Sequence, residues 1–460
     1  MIVASDWAGK TFAVLGLARS GAATVSALLE GGAKAVAWDS DPAKREALSP
    51  LPFRGGAGGG ASPTAPRLEA APHPNPSPEG EGLTFADLET IDLSGFDALI
   101  VSPGVPLNTH PLAAAARAAG VPVIGDIELF AQARKDLPPH KVVGITGTNG
   151  KSTTTALVHH ILKTAGVPTL MGGNIGLPIL GQAPLPQGGV YVLELSSYQI
   201  DLTTSLDCDV AVLLNITPDH LDRYDGFAGY AASKARLFAM QSAGHVAVVG
   251  TGDEASANIA QGLAGRTDDV VTIAPDTAID QSRWPALQGP HNAQNAQAAI
   301  AVARALGIDE DAIEAGLASY ASLPHRMQHV ATRNGVAFVN DSKATNPEST
   351  APALAAFPRV HWIVGGKRKG DDLDACAAHL DHVVAAYTIG EAAPLFFDLL
   401  KDKVPVVEQS GTLEAAVAHA AAAARPGDTV LLSPACASFD QFRDYEARGD
   451  AFRAAVEALA

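Results

Sequence analysis

Apolar runs of strand length alternate with helical periodicity from one end of the chain to the other, which predicts an α/β fold built on mostly parallel sheets. Two further observations carry that prediction. Glycine-rich or polar segments follow many of the runs, and open α/β sheets gather ligands at the carboxyl ends of their strands. At 460 residues the chain should hold two to four domains, and the rhythm restarts twice, giving three α/β segments. Hydrophobic residues are 47% of the total, ample for buried cores. A formal net charge of −17 argues against a nucleic-acid surface, which needs clustered Lys and Arg. It also means that anionic substrates must be held by local positive features. Cys208, Cys376 and Cys436 lie far apart without a C-x-x-C pair, so neither a disulfide framework nor a zinc site is expected. The N-terminus carries Asp6 and no basic-then-apolar signal, and no apolar run reaches the ~18 residues of a membrane span. A soluble, cytosolic protein is expected.

In the first segment Thr11–Gly16 reads as a strand, Ser20–Leu29 as a helix and Ala35–Trp38 as a second strand ending at Asp39. The turn Gly16-Leu-Ala-Arg-Ser-Gly21 lacks the middle glycine of a dinucleotide fingerprint, with Ala18 in its place. Asp39 could still bond a ribose hydroxyl or a base, although a tight βα turn without a ligand is an equal alternative. Strands Ala98–Val101 and Val121–Ile124 run out into Ser102-Pro-Gly104 and Gly125, so Ser102 and Gly104 are candidates for the same ligand. Residues 54–82 interrupt this segment. Six prolines and seven glycines in these 29 residues leave little to bury, and a disordered surface insertion with no catalytic role is expected.

The second segment opens on Lys141-Val-Val-Gly-Ile-Thr-Gly-Thr-Asn-Gly-Lys-Ser-Thr-Thr-Thr155, an apolar strand and a glycine turn, followed by Leu157, Val158, Ile161 and Leu162 at helical spacing. That is the layout of a phosphate-binding loop. Gly147 and Gly150 let backbone amides converge on phosphate oxygens, Lys151 adds a full charge, and Ser152 or Thr153 offers a hydroxyl to Mg²⁺. The strict Walker spacing is not met, because the residue five before Gly150 is Ile145. What stands is the shorter Gly147-Thr148-Asn149-Gly150-Lys151-Ser152. Gly172-Gly-Asn174-Ile-Gly176 comes next, then strand Val190–Leu193 with Glu194 at its exit, suited to hold Mg²⁺ or its water shell. Val210–Leu214 runs into Asn215-Ile-Thr-Pro-Asp-His-Leu-Asp-Arg-Tyr224, where His220 could ligate metal or contact substrate. A helix around Tyr230–Met240 carries Lys234, by itself a solvated lysine. On the helix His291–Leu306, Asn292 and Asn295 share a face and could read an adenine edge or simply cap the helix start.

The third segment begins near Leu323-Pro-His-Arg326, with strand Val336–Asn340, a helix reaching Ala356, and strands Val360–Val364 and Thr429–Leu432. Each strand end is chemically loaded: Asn340-Asp-Ser-Lys-Ala-Thr-Asn346, Gly365-Gly-Lys-Arg-Lys-Gly370 and Ser433-Pro-Ala-Cys-Ala-Ser-Phe-Asp440. The basic run Lys367-Arg368-Lys369, conspicuous in an acidic chain, suits a small anion.

Gly-Thr-Asn-Gly-Lys-Ser-Thr, Gly-Gly-Asn-Ile-Gly, Glu-Leu-Ser-Ser-Tyr-Gln, Asp-His-Leu-Asp-Arg-Tyr, Leu-Pro-His-Arg, Asn-Asp-Ser-Lys-Ala-Thr-Asn and Ser-Pro-Ala-Cys-Ala-Ser-Phe-Asp-Gln-Phe, in that order, resemble the Mur ligases. The likeness covers the whole chain apart from the insertion. It implies an N-terminal Rossmann-like domain for a UDP-sugar (1–125), a central P-loop ATPase domain (126–322) and a C-terminal Rossmann-like domain for an amino acid (323–460). Within the family the motifs are most similar to the ligase of peptidoglycan precursor synthesis that joins UDP-N-acetylmuramoyl-L-alanine to D-glutamate. ATP would phosphorylate the substrate carboxylate, D-glutamate would attack the acyl phosphate, and a tetrahedral intermediate would collapse to amide, ADP and phosphate.

The resemblance also implies ATP and two Mg²⁺ as cofactors, and roles for particular residues. Gly147, Thr148, Asn149, Gly150, Lys151, Ser152 and Thr153 would hold the ATP phosphates. Glu194 and Ser152 would serve one Mg²⁺, and Lys234, carbamylated and so turned into a carboxylate-like anion, would serve the second with His220. Lys151, Lys234, His220 and Asn174 make the catalytic set, the last two near the acyl phosphate. Asn292 and Asn295 match adenine contacts, Arg326 a γ-phosphate contact, and Asp341 and Lys343 nucleotide contacts. Thr345, Lys369, Ser438 and Tyr445 match positions that hold D-glutamate. Arg19, Ser20, Asp39, Ser102 and Gly104 match the uridine-nucleotide site. A monomer is expected, with no nucleic-acid or membrane partner, its domains closing about hinges near Gly125 and Leu323.

Other readings stay open. Sibling ligases adding L-alanine or a diamino acid, and the folylpolyglutamate synthases, share the architecture. The Asp-Asn-Pro-Arg motif of the diamino-acid ligases is absent, which favours glutamate. A non-ligase nucleotide switch leaves the sugar-nucleotide half and the loaded third segment unexplained.

Overall fold

The computed structural model describes residues 1–48, 82–219, 221–265, 269–275, 279–368 and 370–459. The first sheet contains β1 (Thr11–Leu15), β2 (Lys34–Trp38), β3 (Leu83–Phe85), β4 (Ala98–Val101) and β5 (Val123–Ile124) in the order β3-β2-β1-β4-β5. All its pairings are parallel, with Phe12 beside both Ala35 and Ala98. The chain leaves β1 toward β2 and returns on the other side as β4, so the end of β1 is a topological switch point.

The second sheet has β6 (His140–Thr146), β7 (Thr169–Gly173), β8 (Gly189–Glu194), β9 (Val210–Leu213), β10 (Val246–Gly250) and β11 (Val270–Ile273), ordered β11-β10-β9-β6-β8-β7. Here β6 pairs in parallel with β8 and β9, which puts a second switch point at the glycine turn after Thr146. The third sheet has β12 (Gln328–Arg333), β13 (Val336–Asn340), β14 (Val360–Gly365), β15 (Val383–Ile389), β16 (Val407–Gly411) and β17 (Thr429–Leu432), ordered β12-β13-β17-β14-β15-β16. Only β12 pairs antiparallel, as an edge hairpin on β13.

Every residue of β8 and β14 is buried, as expected of parallel strands covered on both faces. Around β14 the pleat splits the core in two. Trp362 and Val364 pack with Leu354, Phe396 and Leu431, whereas Ile363 packs with Val430, Leu432, Val417 and Phe452.

The observed elements depart from the sequence reading in several places, and strands β3, β7, β10, β11, β15 and β16 were not read from it. The strand expected at 121–124 is only Val123–Ile124, because Pro122 has no N–H to donate; its carbonyl still accepts from the Leu99 amide at 2.9 Å. The helix expected around Tyr230–Met240 runs Gly226–Ala239. The hairpin of β12 was not expected, since Gln328–Arg333 is polar and only partly buried. Its turn is Asn334-Gly335, both at positive φ (51° and 76°), the pair that a two-residue hairpin turn demands. Apart from Gly82, whose carbonyl accepts from the Ala35 amide, the expected insertion lies outside the described residues.

By contact density the chain falls into two compact units. One is Met1–Thr148, Val167–Ala247 and Asp253–Val270; the other is Asn149–Gly166, Val248–Gly252 and Val271–Ala460. Among the described residues no helix is long and apolar enough to cross a membrane.

Candidate active site

Strand β6 delivers the chain into the glycine turn. Gly147 (φ 149°) and Gly150 (φ 85°) take backbone conformations that side chains disfavour, and a Cβ on Gly147 would crowd Leu214 at 3.1 Å. The helix Lys151–Thr164 follows at once. Its N-cap, Gly150, offers no side chain to the first amides, so these donors point outward as a phosphate cradle requires. Thr148 fixes the entry side of the loop: its amide donates to Asn215 O at 2.9 Å, and its hydroxyl accepts the Thr217 amide at 3.0 Å. Lys234 is 1% exposed, which overturns its reading as a solvated helix lysine. Its Nζ donates to the carbonyl of Gly147 at 2.9 Å and stands 4.6 Å above the Tyr230 ring.

On the helix side of the loop, Ser152 Oγ accepts from Arg326 Nη2 at 2.7 Å. Arg326 therefore reaches the phosphate helix from a residue 174 positions away in the chain. Thr154 donates to Asn295 Oδ1 at 3.2 Å, Asn295 Nδ2 donates to Asn292 Oδ1 at 3.2 Å, and Asn292 Nδ2 donates to Gln288 O at 3.1 Å. Both asparagines are buried, and Asn295, braced by Asn292, joins the helix Pro290–Ala305 to the phosphate helix.

Glu194, the last residue of β8, is 2% exposed. Its Oε1 accepts from Asn174 Nδ2 at 3.0 Å, and the Asn174 amide donates to the Glu194 carbonyl at 2.8 Å. Gly173 makes this close approach possible, since a Cβ there would lie 2.1 Å from Glu194 O. Glu194 Oε2 is buried with no hydrogen-bond partner among the described residues. A buried carboxylate oxygen left so is costly unless a cation takes it, so the donor chemistry fits Mg²⁺. Among the described residues no three His, Cys, Asp or Glu side chains gather as a ready-made metal nest. His220, expected as a further ligand, lies outside the described residues.

At the end of β1 the turn is tight. A Cβ on Gly21 would stand 1.8 Å from Gly16 O, and the Ser102 hydroxyl donates to that same carbonyl at 2.9 Å. Arg19 and Ser20 open the helix Arg19–Glu30, whose N-cap Ala18 provides no side-chain cap. Asp39 Oδ2 accepts the Leu17 amide at 2.7 Å, Oδ1 accepts the Asp41 amide at 3.0 Å, and Lys44 stands 3.3 Å away. Burial would raise this carboxyl, but the two amides and Lys44 outweigh it and hold it below the usual range. Beside Gly104 a cleft of about 150 Å³ opens between Pro103, Val105 and Asn108 on one side and Tyr198, Arg223 and Tyr224 on the other. Arg223 went unassigned in the sequence. Its Nη2 donates to Val105 O at 2.7 Å, and its guanidinium lies 4.5 Å from the Tyr198 ring centre. An arginine directly before Tyr224 in the loaded loop was the signal.

In the third sheet, Asp341 is buried at the end of β13 and accepts the Met327 amide at 3.1 Å and the Ser433 hydroxyl at 2.9 Å. Burial pushes its carboxyl up to about 7, against the pull of Ser433, Met327 and Arg326. His325 and Met327, flanking Arg326, both have positive φ (62° and 45°), a strained backbone that aims the arginine. Lys343 Nζ stands 3.9 Å above the Tyr445 ring. Thr345 is partly buried and Ser438 fully so, on the loops after β13 and β17. Lys369 lies outside the described residues.

Residues 145–287 match the Mur ligase middle domain and residues 325–436 the Mur ligase glutamate ligase domain. A UDP-N-acetylmuramoylalanine–D-glutamate ligase from Novosphingobium aromaticivorans is 61% identical over 461 residues, covering 100% of this chain and 97% of that protein. Relatives of the same name from Sphingopyxis alaskensis and Zymomonas mobilis are 59% and 55% identical, each match covering 100% of both chains. Among solved structures, a UDP-N-acetylmuramate–alanine ligase from Thermotoga maritima superposes with a TM-score of 0.56 at 15% identity, covering 98% of this chain and 99% of that one. That likeness speaks for the fold.

Proposed function

The chain belongs to the Mur ligase family, and from that premise we propose that it joins UDP-N-acetylmuramoyl-L-alanine to D-glutamate at the expense of ATP, in peptidoglycan precursor synthesis. The acceptor and the sugar nucleotide come from the names of its full-length relatives. One geometric observation carries the ligase chemistry: Arg326, which precedes the third sheet, donates to Ser152 on the phosphate helix. That arrangement supports a site in which ATP is held from the phosphate loop and from the acceptor segment together.

A carboxylate resists amines until one of its oxygens becomes a leaving group, and phosphoryl transfer between two anions needs positive charge. The loop amides of 147–153, with Lys151 and Arg326, supply it in this reading. Asn292 and Asn295 border the adenine, and Asp341 and Lys343 border the rest of the nucleotide. Mg²⁺, as one or two ions, supplies further charge neutralisation, with Glu194, Ser152, His220 and a carbamylated Lys234 as donors. Asn174 orients Glu194 and lies near the carboxylate being activated. Arg19, Ser20, Asp39, Ser102 and Gly104 hold the UDP-sugar, whose muramoyl end would run toward the cleft at Tyr198. Thr345, Lys369, Ser438 and Tyr445 hold D-glutamate so that its amine meets the acyl carbon and the phosphate leaves. We assign 1–125 to the UDP-sugar domain, 126–322 to the ATPase domain and 323–460 to the amino-acid domain, in a monomer acting in the cytoplasm.

Phosphate release from ATP with UDP-N-acetylmuramoyl-L-alanine, supplied with each candidate amino acid in turn, tests this. Release that requires D-glutamate is expected. Release indifferent to the acceptor would sink the ligase reading, and a requirement for L-alanine or a diamino acid would move the chain to a sibling.

A further inference from the structure

Arg448, on the helix Tyr445–Glu457, is 1% exposed and among the largest side chains buried to that degree. Its guanidinium has four hydrogen bonds, all to neutral acceptors. Nε donates to Ser342 Oγ at 3.0 Å, Nη1 to Ala437 O at 3.2 Å, and Nη2 to Ser342 O at 2.9 Å and Cys436 O at 3.0 Å. No carboxylate among the described residues lies within ion-pair distance of it. Asp440, an acid that bears on it electrostatically, is turned to the Glu391 amide at 2.9 Å. Burial brings the arginine down to about 10, which leaves it charged at neutral pH.

The acceptors belong to loops that leave adjacent parallel strands. β17 lies between β13 and β14, so the loops after all three open side by side. Ser342 follows β13, and Cys436 and Ala437 follow β17. The loop after β14 is also close: a Cβ on Gly366 would lie 3.0 Å from Arg448 Nη1 and 2.4 Å from Ala437 O. The bonded residues immediately precede Lys343 and Ser438. Ser342 Oγ also donates to the carbonyl of Tyr445 at 2.8 Å, one turn before Arg448 on the same helix. A single planar fork thus fixes the backbone beside Lys343, Ser438 and Tyr445. Asp440 bears on its charge, but no acid among the described residues forms an ion pair with it.

We propose that Arg448 is the positioning residue of the acceptor amino-acid site. It locks the loops that carry Ser438 and Lys343 against Tyr445, and its buried charge biases the site toward a doubly anionic acceptor. The inference rests on the assignment of this site to the acceptor.

The test is steady-state kinetics on the full chain with Arg448→Lys and Arg448→Met. KM is measured separately for D-glutamate, ATP and UDP-N-acetylmuramoyl-L-alanine, with a circular dichroism spectrum and melting curve for each variant. KM for D-glutamate is expected to rise about 10- to 100-fold, the scale of one or two charge-assisted hydrogen bonds. The rise is larger for Met than for Lys, KM for UDP-N-acetylmuramoyl-L-alanine stays within about twofold, and any rise in KM for ATP, carried through Lys343, is smaller than that for D-glutamate. A uniform rise in all three, or a lower melting temperature with KM for D-glutamate unchanged, overturns the proposal and leaves Arg448 a structural residue. Should both variants fail to fold, Ser342→Ala removes one acceptor only; it should give the same selective rise at smaller size, and an unchanged KM for D-glutamate overturns the proposal. Wild-type turnover that ignores D-glutamate sinks the acceptor-site assignment and this role with it. Wild-type dependence on D-glutamate with unselective variants sinks the role of Arg448 alone.

Discussion

Replacing Glu194 with Gln should move stability and activity in opposite directions. The side chain is 2% exposed, Oε1 is held by Asn174, and Oε2 has no partner among the described residues. In metal-free protein that oxygen has nothing at hydrogen-bond distance among the described residues. A glutamine keeps the Asn174 bond through its carbonyl and puts a neutral amide where the unpartnered oxygen stood. Leaving a buried polar group unsatisfied costs about 1–3 kcal/mol, and more when it is charged, so exchanging the carboxylate for an amide that is itself unpartnered should stabilise the metal-free protein by only the difference, roughly 1 kcal/mol. That corresponds to a rise of a few degrees in melting temperature. Turnover should fall about 10²- to 10³-fold, the scale of removing one preorganised electrostatic contact from a phosphoryl or acyl transfer. Melting curves with EDTA, with Mg²⁺ and with Mg²⁺ plus ATP separate the two effects: ligand should raise the wild-type curve by more than the variant's. A variant that melts lower than wild type in EDTA, or that keeps wild-type turnover, refutes the reasoning.

Three further outcomes are expected. Lys234→Ala should lose activity and regain part of it with added bicarbonate, because the carbamate is the group proposed to act; wild-type turnover in that variant would refute the role. Arg326→Lys removes the planar fork that reaches Ser152 at 2.7 Å. It should lower kcat about 10- to 100-fold in phosphate-release assays, with little change in KM for D-glutamate, and an unchanged kcat counts against the γ-phosphate contact. Asp341 ionises near 7 when folded against 3.8 for the free side chain. Its folded pKa is raised, so the stability it confers is complete below the unfolded value and is lost as pH climbs to the folded one. The stability of wild type relative to Asp341→Asn should therefore fall by roughly 2 kcal/mol between about pH 5 and about pH 7 in urea titrations; a flat difference contradicts the raised value.

What the sequence made legible was local, and what it hid was pairing. β4, β13 and β17 were bounded correctly because each is a short apolar run closed by polar or glycine residues. The glycine turn was legible despite its short spacing, since strand, turn and helix are consecutive. The edge strand β12 carried its own signal in Asn334-Gly335, but its polar residues hid the strand itself. Lys234 shows the other limit. On its helix it reads as one more solvated lysine, and only contact with Gly147, 87 positions away, makes it a buried group at the loop. Before the fold was in hand, its role could come from resemblance alone. Arg448 had not even that: its burial follows from β17 inserting between β13 and β14, an order that no periodicity encodes. Motif residues proposed to touch substrate can therefore be read from the sequence, while the residues proposed to aim them are set by strand order. A buried charge bonded only to carbonyls and a hydroxyl is how such a residue becomes visible once the topology is known.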